Sequence, residues 1–424
     1  MANDERTIEF VRRIIEAWLP RKVKYERIPD FSIKASYKGK QVFEYYFGKK
    51  DKRLFPIASV TKLFTSLLLL KMSAEGRMSL NDKVGKYLKW VPKRKRYVGN
   101  ATIKSLMLHR AGIARDMYRP YLSNLDFPNK LKGISNDELK KQVKGFKYSN
   151  LGYAILGEII EKISGKSYFE CLKAEILEPL GLNSIRLVSD KDATGFNLID
   201  NNLVKEIGPT KVDAITSAFG LVSSIDDLHK FFGILCGEKK ILGVNLATDV
   251  FKEFYLAEGD DKYGLGLWKI TGDNGDFHLS DGRLFGNQVA GGIDRKNRLV
   301  ITARANMRTV NIFAIVFGIM DVFHRVINYP EYHFGRAKNI ANHDGVYRSV
   351  FGDSVLCGCG NKIFIFEPEV NDPLRDGMHV TFSRDEYRIT SASRSSQVEE
   401  LIDFYKDGRK EMLRIGAVEY EKIR

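Results

Sequence analysis

At roughly 150 residues per domain, 424 residues make two or three domains, each long enough to bury a core, which excludes a peptide-sized scaffold. Hydrophobic residues at 44% and charged residues at 29% are globular values and exclude a disordered chain. The 68 Lys and Arg exceed the 53 Asp and Glu by 15, yet the densest basic run, Lys93-Arg94-Lys95-Arg96, has no interleaved aromatic residue to stack a base and reads as a solvated loop.

In chain order, residues 5–19 place Ile8, Val11, Ile14, Ile15 and Trp18 on one helical face, and Pro20 is expected to stop that helix. Phe31, Ile33, Ala35 and Tyr37 then alternate with Ser32, Lys34, Ser36 and Lys38, and Lys38-Gly39-Lys40 turns the strand back through 42–47 as a hairpin. Next comes Phe55-Pro-Ile-Ala-Ser59-Val-Thr-Lys62, opening a run (Leu63, Phe64, Leu67, Leu68, Leu69, Leu70, Met72) apolar all round, which predicts a central helix.

From about 79 to 232 helical patterns dominate and read as an all-helical insertion. Strand patterns resume near 264–270, 276–284, 288–293 and 299–303, and an Ile- and Phe-rich helix follows from about Val310. The expected class is α+β: an antiparallel sheet built from both ends of the unit and flanked by helices, over residues 1–330. A polar linker takes 331–344. Short strand candidates separated by turn signals then fill 345–424, predicting a small antiparallel β-barrel of seven or eight strands as a second domain.

Four scattered cysteines (171, 236, 357, 359) make neither a disulfide framework nor a zinc site, which fits a reducing cytoplasm. The charged N-terminus carries no signal-peptide pattern, and no apolar run approaches the roughly 20 residues that span a bilayer, so neither export nor a membrane partner is expected. Only four glutamines accompany abundant Lys, Arg and Glu, a bias of proteins that work hot, so a thermophilic source is expected.

Ser59 and Lys62 stand three apart at a helix start and share a face, with the free N–H groups of the first turn beside the hydroxyl. A serine is inert at its normal pKa, and a neighbouring amine can take its proton. Taken alone the pattern is weak, because a Ser at a helix start is usually just an N-cap. Tyr148-Ser149-Asn150 adds a phenol that can shuttle a proton and an amide that can grip a carbonyl or orient a lysine. Ser-x-x-Lys and Tyr-x-Asn each occur once in the sequence, in this order.

On these residues the chain resembles the serine β-lactamase and penicillin-binding-protein superfamily, in its class C-like, esterase and D-aminopeptidase branch, over about 28–325. Gly76-Arg-Met-Ser-Leu-Asn-Asp82, Thr102-Ile-Lys-Ser-Leu-Met-Leu-His109-Arg-Ala-Gly112, Pro179-Leu-Gly181-Leu and Gly220-Leu-Val-Ser-Ser-Ile-Asp-Asp227-Leu extend the likeness. The resemblance implies a third motif on a strand, read here as His278-Leu279-Ser280-Asp281-Gly282, with His278 catalytic and the Asp281 N–H the second oxyanion donor beside that of Ser59.

It further implies acyl transfer through Ser59, with Lys62 and Tyr148 passing protons, Asn150 and Asp281 binding substrate, and no metal or cofactor. The tail, through Gly345-Val-Tyr347-Arg348, resembles the lipocalin-like barrel attached to some peptidases of this superfamily, which implies a narrow substrate range and a homo-oligomer. The expected function is a cytoplasmic serine hydrolase of short peptides, D-residues included, or small esters. The alternative is a catalytically inert scaffold or assembly protein of the same fold. Nucleic-acid binding is not expected, because no recognised motif accompanies the charge.

Overall fold

The computed structural model describes residues 2–48, 54–89, 96–115, 145–189, 192, 194–200, 202–207, 215–252, 254–272, 275–328, 343–359, 362–383, 386–392 and 400–423. Residues 93–95 of the basic run and 331–342 of the expected linker lie outside them. The chain forms two compact units, one of residues 29–313 and one joining residues 1–28 to 314–424.

In the first unit, eight strands make one antiparallel sheet. They are β1 (Phe31–Tyr37), β2 (Lys40–Phe47), β3 (Tyr255–Glu258), β4 (Asp261–Gly264), β5 (Leu267–Gly272), β6 (Gly275–Leu284), β7 (Asn287–Asp294) and β8 (Leu299–Ala305), in the spatial order β3-β4-β5-β6-β7-β8-β1-β2. The sheet is thus assembled from two distant stretches of chain, joined where Ile33 of β1 faces Ala303 of β8. The β1–β2 turn puts Lys38 at φ 51° and Gly39 at φ 79°, the doubly left-handed pair that a two-residue hairpin requires.

Helix α2 (Thr61–Ala74) runs through the core with residues 61–70 and Met72 all buried, the outcome expected of a segment apolar all round. Phe64 stacks on Phe231 of α4 (Ile225–Gly237) with ring centroids 4.0 Å apart. Helix α3 (Asn150–Ser164) packs beside α2. Within the mainly helical 79–232 segment the structure adds a two-stranded hairpin, Thr194–Ile199 with Asn202–Ile207, and two short strands, Arg186–Leu187 and Leu221–Ser223, that form a small sheet with Phe55–Pro56. The hairpin escapes the hydrophobic pattern because Ile199, Leu203 and Val204 are exposed.

In the second unit, eight antiparallel strands close a barrel: β9 (Gly345–Ser349), β10 (Gly352–Cys359), β11 (Lys362–Phe366), β12 (Met378–Ser383), β13 (Glu386–Ser391), β14 (Leu401–Asp407), β15 (Lys410–Ile415) and β16 (Val418–Lys422). Tyr347, Leu356, Ile363, Ile365, Val380, Ile389, Ile402, Leu413 and Ile415 form one buried cluster within it. Helix α1 (Ala2–Tyr25) lies against β10 and β11, where Phe10 meets Phe364 edge-on at 5.6 Å. Cys357 and Cys359 sit under α1, their thiols directed at the Arg13 and Phe10 carbonyl oxygens at 3.7 and 3.8 Å.

The expectation that Pro20 ends α1 is corrected: the helix continues to Tyr25 with the proline inside it. A proline removes one helical donor and crowds the preceding turn, a cost that tertiary contacts can offset. Here Trp18 Nε1 donates to the Val370 carbonyl at 3.0 Å and the buried Lys22 ammonium donates to the Glu369 carbonyl at 2.7 Å, anchoring the turns on both sides. Among the described residues no helix is long and apolar enough to cross a membrane.

Gly291 of β7 faces the fully buried ring of Phe232, whose nearest atom would lie 2.0 Å from a Cβ placed there. Gly291→Ala is therefore expected to lower unfolding free energy by about 1–3 kcal/mol through overpacking, measured by urea denaturation. An unchanged midpoint would show that α4 and the sheet are not packed this closely.

Candidate active site

Ser59 is placed by the turn that precedes α2. Ile57 donates its N–H to the Leu221 carbonyl at 2.9 Å, and residues 58–60 form one 3-10 turn leading directly into the helix. Ala58, immediately before the serine, is held at φ +44°, a left-handed conformation costly for any residue with a Cβ. Such strain persists only where the surroundings enforce it, and here the turn is pinned between Leu221 and strand β6. The Ser59 N–H, in the first turn, belongs to the donors that a helix start leaves without intrahelical acceptors.

Helical spacing then brings Lys62 under the hydroxyl. The fully buried Lys62 Nζ donates to Ser59 Oγ at 3.1 Å, to Asn150 Oδ1 at 2.8 Å and to the Ala218 carbonyl at 2.8 Å, one acceptor for each ammonium N–H. Tyr148 Oη donates to Ser59 Oγ at 2.8 Å. Burial pushes the phenol well above its ordinary value, so it stays protonated at neutral pH.

The loop carrying Tyr148 and Asn150 is held by its neighbours. Ser149 caps α3 by accepting from the Gly152 N–H at 2.9 Å and donates its hydroxyl to the Ala114 carbonyl at 2.6 Å. The Ser149 N–H goes to His109 Nδ1 at 3.1 Å, which fixes the imidazole proton on Nε2. The His109 ring lies 4.3 Å from that of Tyr148 and 4.9 Å from that of Tyr263. Burial, and then the nearby Lys62 and Arg115 charges, hold this imidazole neutral. His109 thus braces the phenol, a role its place in an apolar Leu-Met-Leu-His run does not reveal.

Strand β6 closes the site from the other side. At Gly282 an added Cβ would lie 2.4 Å from the Ile57 carbonyl oxygen and 2.9 Å from the Ser59 nitrogen, so only glycine lets the serine turn rest on this strand. Strand β5 pairs with residues 275–279 of β6 and leaves 280–284 with a free edge on that side. The β6–β7 hairpin closes through Phe285 (φ 49°) and Gly286 (φ 71°), with Leu284 opposite Asn287. In a two-residue hairpin the closing pair is hydrogen-bonded, so even-numbered residues of β6 bond to β7 and the N–H groups of Asp281 and Arg283 point off the free edge.

The structure therefore brings Ser59, Lys62, Tyr148 and Asn150 together, sets Asp281 beside them, and leaves His278 apart. His278 lies four residues from Gly282, about 13 Å along an extended strand. Its ring packs against Phe251 at 4.9 Å and Phe254 at 5.2 Å, and its backbone pairs with Lys269 and Ile293. The triplet at the serine turn is Ser280-Asp281-Gly282, two residues further along. Arg283, which follows that glycine, is one of two residues, with Phe219, that the sequence marks as flanking the motifs without assigning them to the site.

Burial first, then the Lys269 charge, lowers the His278 imidazole from its ordinary 6.5 to about 4. With the folded pKa depressed, the unfolded chain takes up a proton between pH 6.5 and 4 that the folded chain refuses, so this residue withdraws stability as pH falls through that window. Relative to wild type, His278→Phe is expected to gain stability on going from pH 7 to pH 4, measured by denaturant unfolding at both values. A difference independent of pH would show that His278 is not buried and neutral.

A Beta-lactamase family profile matches residues 15–310. Among curated proteins, the teichoic acid D-alanine hydrolase of Staphylococcus aureus is 27% identical over 238 residues, 54% of this chain and 57% of the relative. The match thus takes in little more than half the length of these curated relatives. Among solved structures, the octameric penicillin-binding protein homologue of Pyrococcus abyssi superposes with a TM-score of 0.64 at 23% identity, over 96% of this chain and 99% of that one. A β-lactamase/D-alanine carboxypeptidase from Yersinia pestis gives a TM-score of 0.60 at 15% identity, over 76% of this chain and 99% of that one. Taken with a fold of flanked antiparallel sheet plus barrel, the profile match over most of the chain shows that the protein belongs to the Beta-lactamase family, within the superfamily of serine β-lactamases and penicillin-binding proteins.

Proposed function

We propose that the protein is a serine hydrolase that forms an acyl-enzyme on Ser59. One observation carries the reading: a hydroxyl with a buried lysine amine at 3.1 Å and a tyrosine phenol at 2.8 Å, beside a strand edge that offers a backbone N–H. Ser59 Oγ attacks a carbonyl carbon as its proton passes to Lys62 in its neutral form. Because burial keeps Tyr148 protonated, the phenol donates its proton to the leaving group, which leaves a phenolate beside the Lys62 ammonium until water returns a proton to it.

The developing oxyanion lies between the N–H of Ser59 and that of Arg283, the off-edge N–H of β6 that directly follows Gly282. Asn150, already on Lys62 through Oδ1, has its amide NH₂ to offer a substrate carbonyl. Water then attacks the acyl-enzyme, with the same groups moving the proton in reverse.

The substrate class proposed is short peptides, D-residue-containing ones included, or small esters, with β-lactams as pseudo-substrates. The name of the teichoic acid D-alanine hydrolase, to which 54% of this chain is similar, supports a D-alanyl group. The octameric Pyrococcus abyssi relative supports a homo-oligomer, which light scattering would show as a mass of at least twice 48.3 kDa.

A fluorophosphonate or labelled penicillin should attach to one peptide containing Ser59, and Ser59→Ala should abolish the adduct. Lys62→Ala and Tyr148→Phe should each lower kcat/KM on p-nitrophenyl esters by about 10²–10⁴-fold. Absence of adduct in the wild-type protein, or turnover that survives Lys62→Ala, would leave the inert scaffold as the better reading.

A further inference from the structure

We propose that the Asp281 carboxylate selects substrates bearing an ammonium group near the scissile carbonyl and rejects those bearing a carboxylate there. The proposal rests on the reading of Ser59 as nucleophile and adds the charge of its substrate.

Asp281 sits on the free edge of β6, next to the glycine on which the Ser59 turn rests. Its carboxylate is within electrostatic reach of Lys62, Tyr148 and Tyr263, the groups gathered around Ser59, and of Arg283. It is only partly exposed, and burial raises its pKa, with the Arg283 and Lys62 charges opposing that rise.

A carboxylate placed only to neutralise a neighbour would close a direct ion pair with it. Among the described residues no side chain donates to Asp281. Lys62 instead points its ammonium at Ser59, Asn150 and Ala218. The Asp281 oxygens are therefore partly stripped of water with no side-chain donor among the described residues, and a carboxylate in that condition gains most from a charged donor brought by a ligand. An incoming carboxylate would meet a like charge at the point where the reacting carbonyl must settle, which disfavours it.

The test compares kcat/KM within two matched pairs: D-alanyl against N-acetyl-D-alanyl p-nitroanilide, and the 2-aminoethyl against the carboxymethyl ester of one acyl group. Wild-type enzyme should favour the amine-bearing member of at least one pair by roughly tenfold or more, and Asp281→Asn should shrink that preference by a similar factor, as expected for a hydrogen bond to a charged group. Asp281→Ser should repeat the result, and wild-type selectivity stands as a readout whatever the variants' folding.

Turnover without preference for the amine, or equal losses on both members of each pair in Asp281→Asn, would overturn the proposal and leave Asp281 as a charge balance for Lys62. Absence of turnover on all four compounds would refute the Ser59 reading and this one with it.

Discussion

The structure depends on one close approach: the turn at residues 58–60 rests directly on Gly282 of β6, with no room for a side chain between them. That contact joins the start of the core helix to an edge of the sheet. It forces Ala58 into a left-handed conformation at φ +44° and sets the Ser59 N–H beside the strand's outward-pointing N–H groups. A nucleophile at a helix start has a hydroxyl and a free donor in any protein. What makes a site of this one is the second strand held against it, because an oxyanion needs two fixed donors converging on one point.

Around that contact the remaining groups are arranged by burial and hydrogen bonding. Helical spacing brings Lys62 to Ser59, and Asn150 and the Ala218 carbonyl hold its ammonium in place. Tyr148 is fixed twice, by its own bond to Ser59 and by the His109 ring beneath it, which accepts the Ser149 N–H. Burial keeps the imidazole neutral and the phenol protonated, so neither ring carries charge in the resting site. The asymmetry between a lysine nitrogen bonded to three acceptors and a carboxylate to which no side chain among the described residues donates is the electrostatic character of the site.

Much of this was legible from residue spacing, and the failures have physical causes. Ser59 and Lys62 share a face at three-residue spacing whatever surrounds them, and Tyr148-Ser149-Asn150 carries its own N-cap, so local rules reach both. The third motif, read over 278–282, contains the glycine on which the serine turn rests, but the catalytic side chain assigned to it, His278, stands four residues from that contact. A shift of two along a strand keeps every side chain on its face, so alternation cannot separate His278 from Ser280, and only the distant contact of Gly282 with Ser59 fixes the register. Pro20 misled for the same reason, a local breaker overridden by the anchors at Trp18 and Lys22. The hairpin at 194–207 escapes the pattern because Ile199, Leu203 and Val204 are exposed, and the sequence marks His109 only as part of a motif, with nothing local to show its contact with Tyr148.

The central claim is a shape: a serine oxygen, two backbone donors and a protonated phenol converging on one carbonyl. A crystal structure of the protein inhibited by a fluorophosphonate tests it directly, because the phosphoryl oxygen stands in for the oxyanion. The account requires that oxygen at about 2.7–3.1 Å from both the Ser59 and Arg283 nitrogens, with Tyr148 Oη on the leaving-group side. A phosphoryl oxygen turned away from β6, or bound by His278 in place of the strand's N–H groups, would contradict it.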